Sequence, residues 1–344
     1  MADSLNAVVD RATPKPENFA SDQDVRWCPG CGDYAILAQM KKVLPELGIP
    51  RERVVFISGI GCSSRFPYYI NSYGFHTIHG RAPTLASGVK LANPDLSVWI
   101  ITGDGDGLSI GAGHLMHLCR RNLDVNVILF NNRIYGLTKG QYSPTSPVGK
   151  ITKTTPYGSL DRPFNPIGMA AAAGATFVAR TIDRDTRHMA EVFRQAAAHK
   201  GTSFVEVYQN CNIFNDGAFN DLTDAATKPD HLVYLEDGKP LVFGREGDQG
   251  IAINGFTPER MSVDPADPQG VVVHHESGQG DPYTQFLANL SEREGFPTPV
   301  GVFRRETAPT YDGAFMEQMT AVTDRKGKGN LKQLFIAGDT WTVE

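Results

Sequence analysis

Apolar positions along the chain change period repeatedly. Tyr34 to Leu47 carries apolar residues at helical spacing, and Arg53 to Ser58 (RVVFIS) follows as a short apolar run ending in Gly59 and Gly61. The spacing predicts a helix feeding a buried strand. The alternation returns with Thr84 to Ala92 as a helix, Leu96 to Thr102 (LSVWIIT) as a strand, Ser109 to Arg121 as a helix and Val125 to Phe130 (VNVILF) as a strand. Pro166 to Ala173 and Thr186 to His199 predict helices around a short strand at Thr176 to Ala179, and Ser203 to Gln209 predicts a final strand. Helices that alternate with strands apolar on both sides predict an α/β fold, a mainly parallel sheet with helices on both faces. Ligands of such sheets collect beyond the carboxyl ends of the strands.

The two ends of the chain read differently. Residues 1–25 hold Pro14, Pro16 and many polar residues with no repeating apolar face, which predicts an extended arm that needs a docking surface or a partner to become ordered. Residues 26–215 form the expected α/β domain. From about Phe214 the texture turns to Asp-, Gly- and Pro-rich loops broken by short apolar runs such as Leu232 to Leu235 and Gly301 to Phe303. Residues 216–344 are therefore expected to be an irregular extension packing on the core or on a partner subunit. No internal repeat or low-complexity tract interrupts the pattern.

Composition narrows the function classes. A net charge of -5 with mixed signs leaves no basic footprint for nucleic acid. No segment approaches the roughly 20 apolar residues of a membrane span, and the polar start has no apolar core of a signal peptide, so a cytoplasmic protein is expected. An odd count of five cysteines with one C-x-x-C then points to metal or redox work rather than to disulfides.

The strand LSVWIIT runs into Gly103-Asp104-Gly105-Asp106-Gly107, and a helix follows. Glycines let a backbone approach a diphosphate, and amides opening the next helix favour negative charge. Asp104 can hold a hard cation such as Mg2+, and Asn132, at the end of the next strand, supplies a second oxygen. Alone, Gly-Asp-Gly reads first as a plain hairpin or helix-entry turn. Its partner Asn131-Asn132 is separated from Gly105 by 25 residues (residues 106–130), also at a strand end. The pair resembles the thiamine diphosphate motif; by that resemblance Asp104, Asn132 and the backbone carbonyl of Ile134 hold Mg2+, and Gly105 touches the diphosphate, with Gly103 and Asp106 in the same loop. His79, in HTIHGRAPT, either reaches the cofactor or is a hydrogen-bonded loop histidine.

Cys28-Pro29-Gly30-Cys31-Gly32 sets two thiolates on one turn, while Cys62 and Cys211 follow strand ends. Two readings stay open for the four: an iron–sulfur cluster, or a zinc site with four thiolates. Cys119 falls in line with Leu108, Ala112 and Leu115, which predicts a small core residue. His114 and His117 are read as lining a polar helix face.

With WCPGCGDYAIL, GIGCSSR, FHTIHGRAPTLASGVKLANP, GDGDGLSIGAGH and NNRIYGLTKGQYSPTS in order, the chain resembles the β subunits of 2-oxoacid:ferredoxin oxidoreductases, most of all the 2-oxoglutarate type. The resemblance covers about residues 27–212. It implies oxidative decarboxylation of 2-oxoglutarate with coenzyme A to succinyl-CoA and CO2 on thiamine diphosphate and Mg2+. It also implies electrons passing through a [4Fe-4S] cluster on Cys28, Cys31, Cys62 and Cys211 to ferredoxin. Pyruvate or another 2-oxoacid is the alternative substrate, and a zinc-braced binding or electron-carrier module the non-enzymatic one. No glutamate flanks the GDG or NN segments; the resemblance places the glutamate partner of thiamine on an α subunit, in an αβ heterodimer or (αβ)2 assembly, so this polypeptide alone is expected to be inactive. Arg65 and Lys139 are candidates for the distal carboxylate of the substrate, because a buried carboxylate needs a cationic partner. Leu137 and Thr138 are expected to shape the pocket.

Overall fold

The computed structural model describes residues 15–255 and 257–343. The expected arm therefore lies partly outside the described residues. Where it is described, Phe19 is fully buried, its carbonyl accepts from Asn71 N at 2.9 Å, and Ala20 bridges Ile70. The core itself provides the docking surface.

The elements α1 (Asp33–Glu46), β1 (Val54–Ser58), β2 (Tyr73–His76), α2 (Ala82–Ala92) and β3 (Ser97–Gly103) come first. They lead into α3 (Ala112–Arg121), β4 (Asn126–Asn131), α4 (Pro166–Ala172), β5 (Phe177–Ile182), α5 (Thr186–Ala198) and β6 (Ser203–Tyr208). Beyond them lie α6 (Asn220–Thr223), α7 (Lys228–His231), β7 (Leu232–Leu235), β8 (Val242–Phe243), β9 (Gln249–Asn254) and β10 (Thr257–Ser262). The chain ends with α8 (Gly280–Leu290), β11 (Thr298–Arg305), α9 (Tyr311–Lys326) and α10 (Leu331–Phe335). The helix predicted from Ser109 starts at Ala112, because residues 106–110 form a widened turn broken at Ser109 (φ -98°, ψ -107°).

An 8-stranded sheet runs in the order β2-β1-β3-β4-β6-β5-β11-β7. Pairing is parallel throughout except between β11 and β5. On one face α1 and α5 bury Ile36, Met40, Val43, Met189 and Phe193 against Phe56, Trp99, Phe130 and Val205. On the other, α2, α3, α4 and α8 cover Ile57, Ile100, Val127 and Phe204. Burying both faces is what the continuous apolar strands required. The neighbours β1, β3, β4 and β6 all release their chain at the same edge, so the segments carrying Cys62, Asp104, Asn132 and Cys211 gather there. Among the described residues no helix is long and apolar enough to cross a membrane.

The segment after residue 215 is more regular than its sequence texture suggests. β7 and β11 join the main sheet, and β8, β9 and β10 make a small antiparallel one. Pro299 and Gly301 break the apolar pattern of β11, and only pairing with β5 and β7 holds it extended. Past β11 the chain turns outward: Leu334, Phe335, Ile336 and Trp341 are all exposed.

His274 ties this segment down. Fully buried, it donates from Nε2 to the Val302 carbonyl of β11 at 2.9 Å and accepts from the Tyr283 hydroxyl of α8 at 3.1 Å. Burial lowers its pKa below the ordinary 6.5, and burial lowers those of His188 and His199 as well. Below that pH the unfolded chain binds more protons than the folded one, so stability present above about pH 6.5 drains as pH falls, by up to roughly 1.4 kcal/mol per pH unit for each histidine. Carboxyls raised by burial, Asp33 among them, act in the opposite direction over the same range, so the check is a difference: between about pH 7.5 and about pH 5.5 the urea midpoint of His274→Gln, which offers a donor and an acceptor without titrating, should lose less or gain more than that of the wild type.

Candidate cofactor and metal site

β3 delivers Asp104 into the sheet edge almost fully buried. Its Oδ2 accepts from the Ser143 hydroxyl at 2.5 Å and the Thr145 hydroxyl at 2.6 Å. Burial pushes this carboxyl above its usual range, and the two hydroxyls pull it back. A buried carboxylate held by hydroxyl donors suits a hard cation. Next to it Gly105 has no room for a side chain: a Cβ there would lie 2.1 Å from Tyr135 Cε1, and the Tyr135 hydroxyl donates to the Gly105 carbonyl at 3.1 Å.

The Asn131-Asn132 pair divides its work. Asn132, which lines the cavity with Ile134, accepts from Ile134 N at 3.1 Å and donates through Nδ2 to Gln209 Oε1 at 3.0 Å. Asn131 faces inward, donating to Glu206 Oε1 at 2.7 Å and accepting from Arg133 N at 3.2 Å, with its Oδ1 also 2.8 Å from the Thr145 hydroxyl, whose single proton it shares with Asp104. Glu206 in turn accepts from Arg180 Nε at 2.7 Å. Both members of this ion pair are buried, register opposite one another on β6 and β5, and leave the Arg180 guanidinium against the rings of Tyr208 and Phe303. Burial opposes the Arg180 charge, yet Glu206 holds its pKa above the ordinary value.

Asp106 organises loops. Its Oδ1 accepts from Ile60 N at 3.0 Å, Gly80 N at 2.7 Å and His79 Nδ1 at 2.7 Å, and Oδ2 accepts from Thr102 at 2.7 Å. These bonds staple the segments after β1 and β2 to the GDG loop. His79 is held by Nδ1, which leaves Nε2 to address the cavity it lines.

The resulting cavity, of about 500 Å³, is lined by His79, Gly103, Asp104, Gly105, Asp106, Asn132, Ile134, Leu137 and Thr138 among others. A second chamber of about 260 Å³ adjoins it, lined by Cys28, Cys31, Cys62 and Cys211 together with Arg26, Arg65 and Lys139. The structure thus brings all four cysteines to one chamber, and sets Arg65 and Lys139 on that chamber rather than on the larger cavity. Arg65 Nη1 donates to the Arg26 carbonyl at 3.0 Å, and the Trp27 indole donates to the Cys62 carbonyl at 2.7 Å, closing the C-x-x-C turn onto the Cys62 loop. Burial pushes the Cys62 thiol up to about 12 and raises the Cys31 thiol as well, with Asp33 and neighbouring thiols adding to both. Cys119 is buried in the core, as its helical position implies, and His114 and His117 lie on the outer side of α3 away from both cavities.

The two chambers share a wall of Cys62, Asn132, Gly136 and Leu137. Gly136 keeps it thin: a Cβ there would sit 3.5 Å from Cys211 Sγ and 3.7 Å from Cys62 Sγ. Four residues at this site escaped sequence reasoning. Ser143 and Thr145 lie in an irregular loop, and Gln209 is the first residue past the apolar strand β6. Asp33 opens α1 fully buried at the larger cavity, its carboxylate oxygens without hydrogen-bond partners and its pKa pushed up to about 7 by burial. The one available signal for Asp33 was its place two residues after Cys31.

Comparison with known proteins gives a consistent answer. Residues 59–207 match the family model described as thiamine pyrophosphate enzyme, C-terminal TPP binding domain. The 2-oxoglutarate oxidoreductase subunit KorB of Mycobacterium tuberculosis is 51% identical over 332 residues, covering 96% of this chain and 89% of that protein. The 2-oxoacid:ferredoxin oxidoreductase 1 subunit beta of Aeropyrum pernix is 48% identical over 61% of this chain and 65% of its own length. A solved structure of 2-oxoglutarate:ferredoxin oxidoreductase from Magnetococcus marinus, with 2-oxoglutarate, coenzyme A and succinyl-CoA bound, superposes with a TM-score of 0.76 at 32% identity, covering 96% of this chain and 98% of that one. This chain belongs to the β subunits of the 2-oxoacid:ferredoxin oxidoreductases, and within them to the 2-oxoglutarate type.

Proposed function

We propose that this chain, paired with an α subunit, holds Mg2+–thiamine diphosphate in the larger cavity and a [4Fe-4S] cluster in the cysteine chamber, and oxidises 2-oxoglutarate with coenzyme A to succinyl-CoA and CO2. The observation that carries the reading is the shared wall of Cys62, Asn132, Gly136 and Leu137, which sets the two chambers side by side. Thiamine diphosphate, when bound, supplies the carbanion chemistry that decarboxylation needs.

The residues fit these groups. Asp104, Asn132 and the carbonyl of Ile134 would hold Mg2+, with the backbone of Gly103 and Gly105 lining the same cavity for the diphosphate. Asp33 offers orphaned acceptors to a donor on the cofactor, since a buried carboxylate without a partner is costly. His79, oriented by Asp106, addresses the same cavity. Four cysteines on one chamber beside the thiamine cavity favour a redox cluster over zinc, because an electron acceptor has a role next to a thiamine carbanion and a structural ion has none.

Acidic residues lining the larger cavity are Asp33, Asp104 and Asp106, with no glutamate among them, and Glu206 is committed to Arg180. The glutamate that thiamine requires then comes from the α subunit, and apolar Ile60, Ile78 and Ile110, exposed around the cavity segments, suit a partner's cover. We infer an αβ pair or its dimer, a soluble ferredoxin as acceptor, a cytoplasmic setting, and contact between the exposed end of the 216–344 extension and the α subunit. Arg65 and Lys139 supply the positive charge for a dicarboxylate next to the shared Leu137, with Thr138 on the cavity side.

Purified without oxygen, the protein should be brown and bleach on reduction, and with its α subunit it should reduce a viologen in the presence of 2-oxoglutarate and coenzyme A. A colourless, zinc-loaded protein would refute the cluster. Asp104→Ala should abolish thiamine retention while leaving the colour, whereas Gly136→Val, whose two methyls extend beyond a Cβ already in van der Waals contact with two sulfurs, should cost most of the iron, checked by metal analysis. Arg65→Leu should raise KM for 2-oxoglutarate by roughly tenfold or more and leave pyruvate nearly unaffected, as loss of a charged hydrogen bond predicts.

A further inference from the structure

Gln209 touches both halves of the site. It is 1% exposed, lines the larger cavity, and is anchored by its own N–H on the Asn131 carbonyl at 3.0 Å. Its side-chain orientation is forced from both ends. Ile134 N can only donate, so Asn132 must turn Oδ1 toward it and Nδ2 toward Gln209, which must answer with Oε1 at 3.0 Å. The other end of the Gln209 amide is then Nε2, which meets the Asn210 carbonyl at 2.6 Å and Cys31 Sγ at 3.3 Å. One amide therefore spans from a magnesium-site oxygen ligand to a cysteine of the adjoining chamber.

We propose that Gln209 is a positioning residue that couples the two centres. Its carbonyl oxygen locks the Asn132 amide with Oδ1 on the Ile134 side, where the cation is assigned, and its N–H donates to the Cys31 sulfur and raises the reduction potential of the cluster. The inference rests on the cofactor assignment above. Hydrogen bonds to ligand sulfurs stabilise the more negative reduced cluster, and partners that orient a metal ligand are worth about 10- to 100-fold in metal affinity. A Gln chosen only for packing at a strand end would do neither.

The test uses the αβ complex purified without oxygen, with two readouts. The cluster potential is followed by redox titration with paramagnetic resonance detection. The Mg2+ dependence of thiamine diphosphate binding is followed by calorimetry after chelator treatment. Gln209→Leu, which removes both arms, should shift the potential to more negative values and raise the Mg2+ concentration at half-saturation about tenfold. Gln209→Glu keeps an oxygen toward Asn132 but has no N–H for sulfur, so the potential should move while the Mg2+ requirement stays near wild type. If Gln209→Leu does not retain iron, Gln209→Asn, its amide drawn back by one methylene, must show the same negative shift. A variant with full iron content and the wild-type potential overturns the role of Gln209. A wild-type complex without the cluster spectrum would instead overturn the cofactor assignment, so the two failures are distinct.

Discussion

An ionised carboxylate at the centre of an apolar sheet persists only with a full set of partners, and Glu206 has them. Arg180 from the neighbouring strand supplies the opposite charge, and the Asn131 amide takes the other oxygen. Such a pair adds little stability compared with apolar residues of the same volume. What it secures is orientation, because a carboxylate can only accept. Asn131 must turn its oxygen to Thr145, and Thr145 stands against Asp104. The acidic loop at the cavity is thereby fixed by a chain of contacts that begins two strands away.

That chain also explains why the late part of the sequence belongs to the site. The Arg180 guanidinium lies on Phe303 and donates to the Pro299 carbonyl at 3.3 Å, both on β11. A strand assembled from the region beyond residue 215 thus braces the ion pair from behind. Its removal would expose a buried charge rather than merely shorten a sheet.

At the carboxyl edge, two chambers with different chemistry are kept apart by the width of a glycine. Asp104 and its hydroxyl donors make one suited to a hard cation and phosphate oxygens, while four sulfurs with Arg26, Arg65 and Lys139 make the other suited to a soft, negatively charged group. The cations offset the repulsion that four thiolates would feel together. Coulomb attraction to Arg65 works against the burial that pushes the Cys62 thiol up.

Much of this was legible in the chain. Alternating periods identified the helices and inner strands, because strands buried on both faces must be apolar throughout. Gly103-Asp104-Gly105, Asn131-Asn132 and the four cysteines were visible because their chemistry demands particular residue types at strand ends. The edge strand β2, with all four residues exposed to solvent, and β11, broken by Pro299 and Gly301, carry no periodic signal and exist only through pairing. Likewise Ser143, Thr145, Gln209 and Asp33 are ordinary polar residues in sequence. Residue type alone determined which groups could bind a cation, a phosphate or iron; the burial and direction of the polar groups between them were decided by tertiary structure, since a hydrogen bond depends on where the facing strand puts its partner.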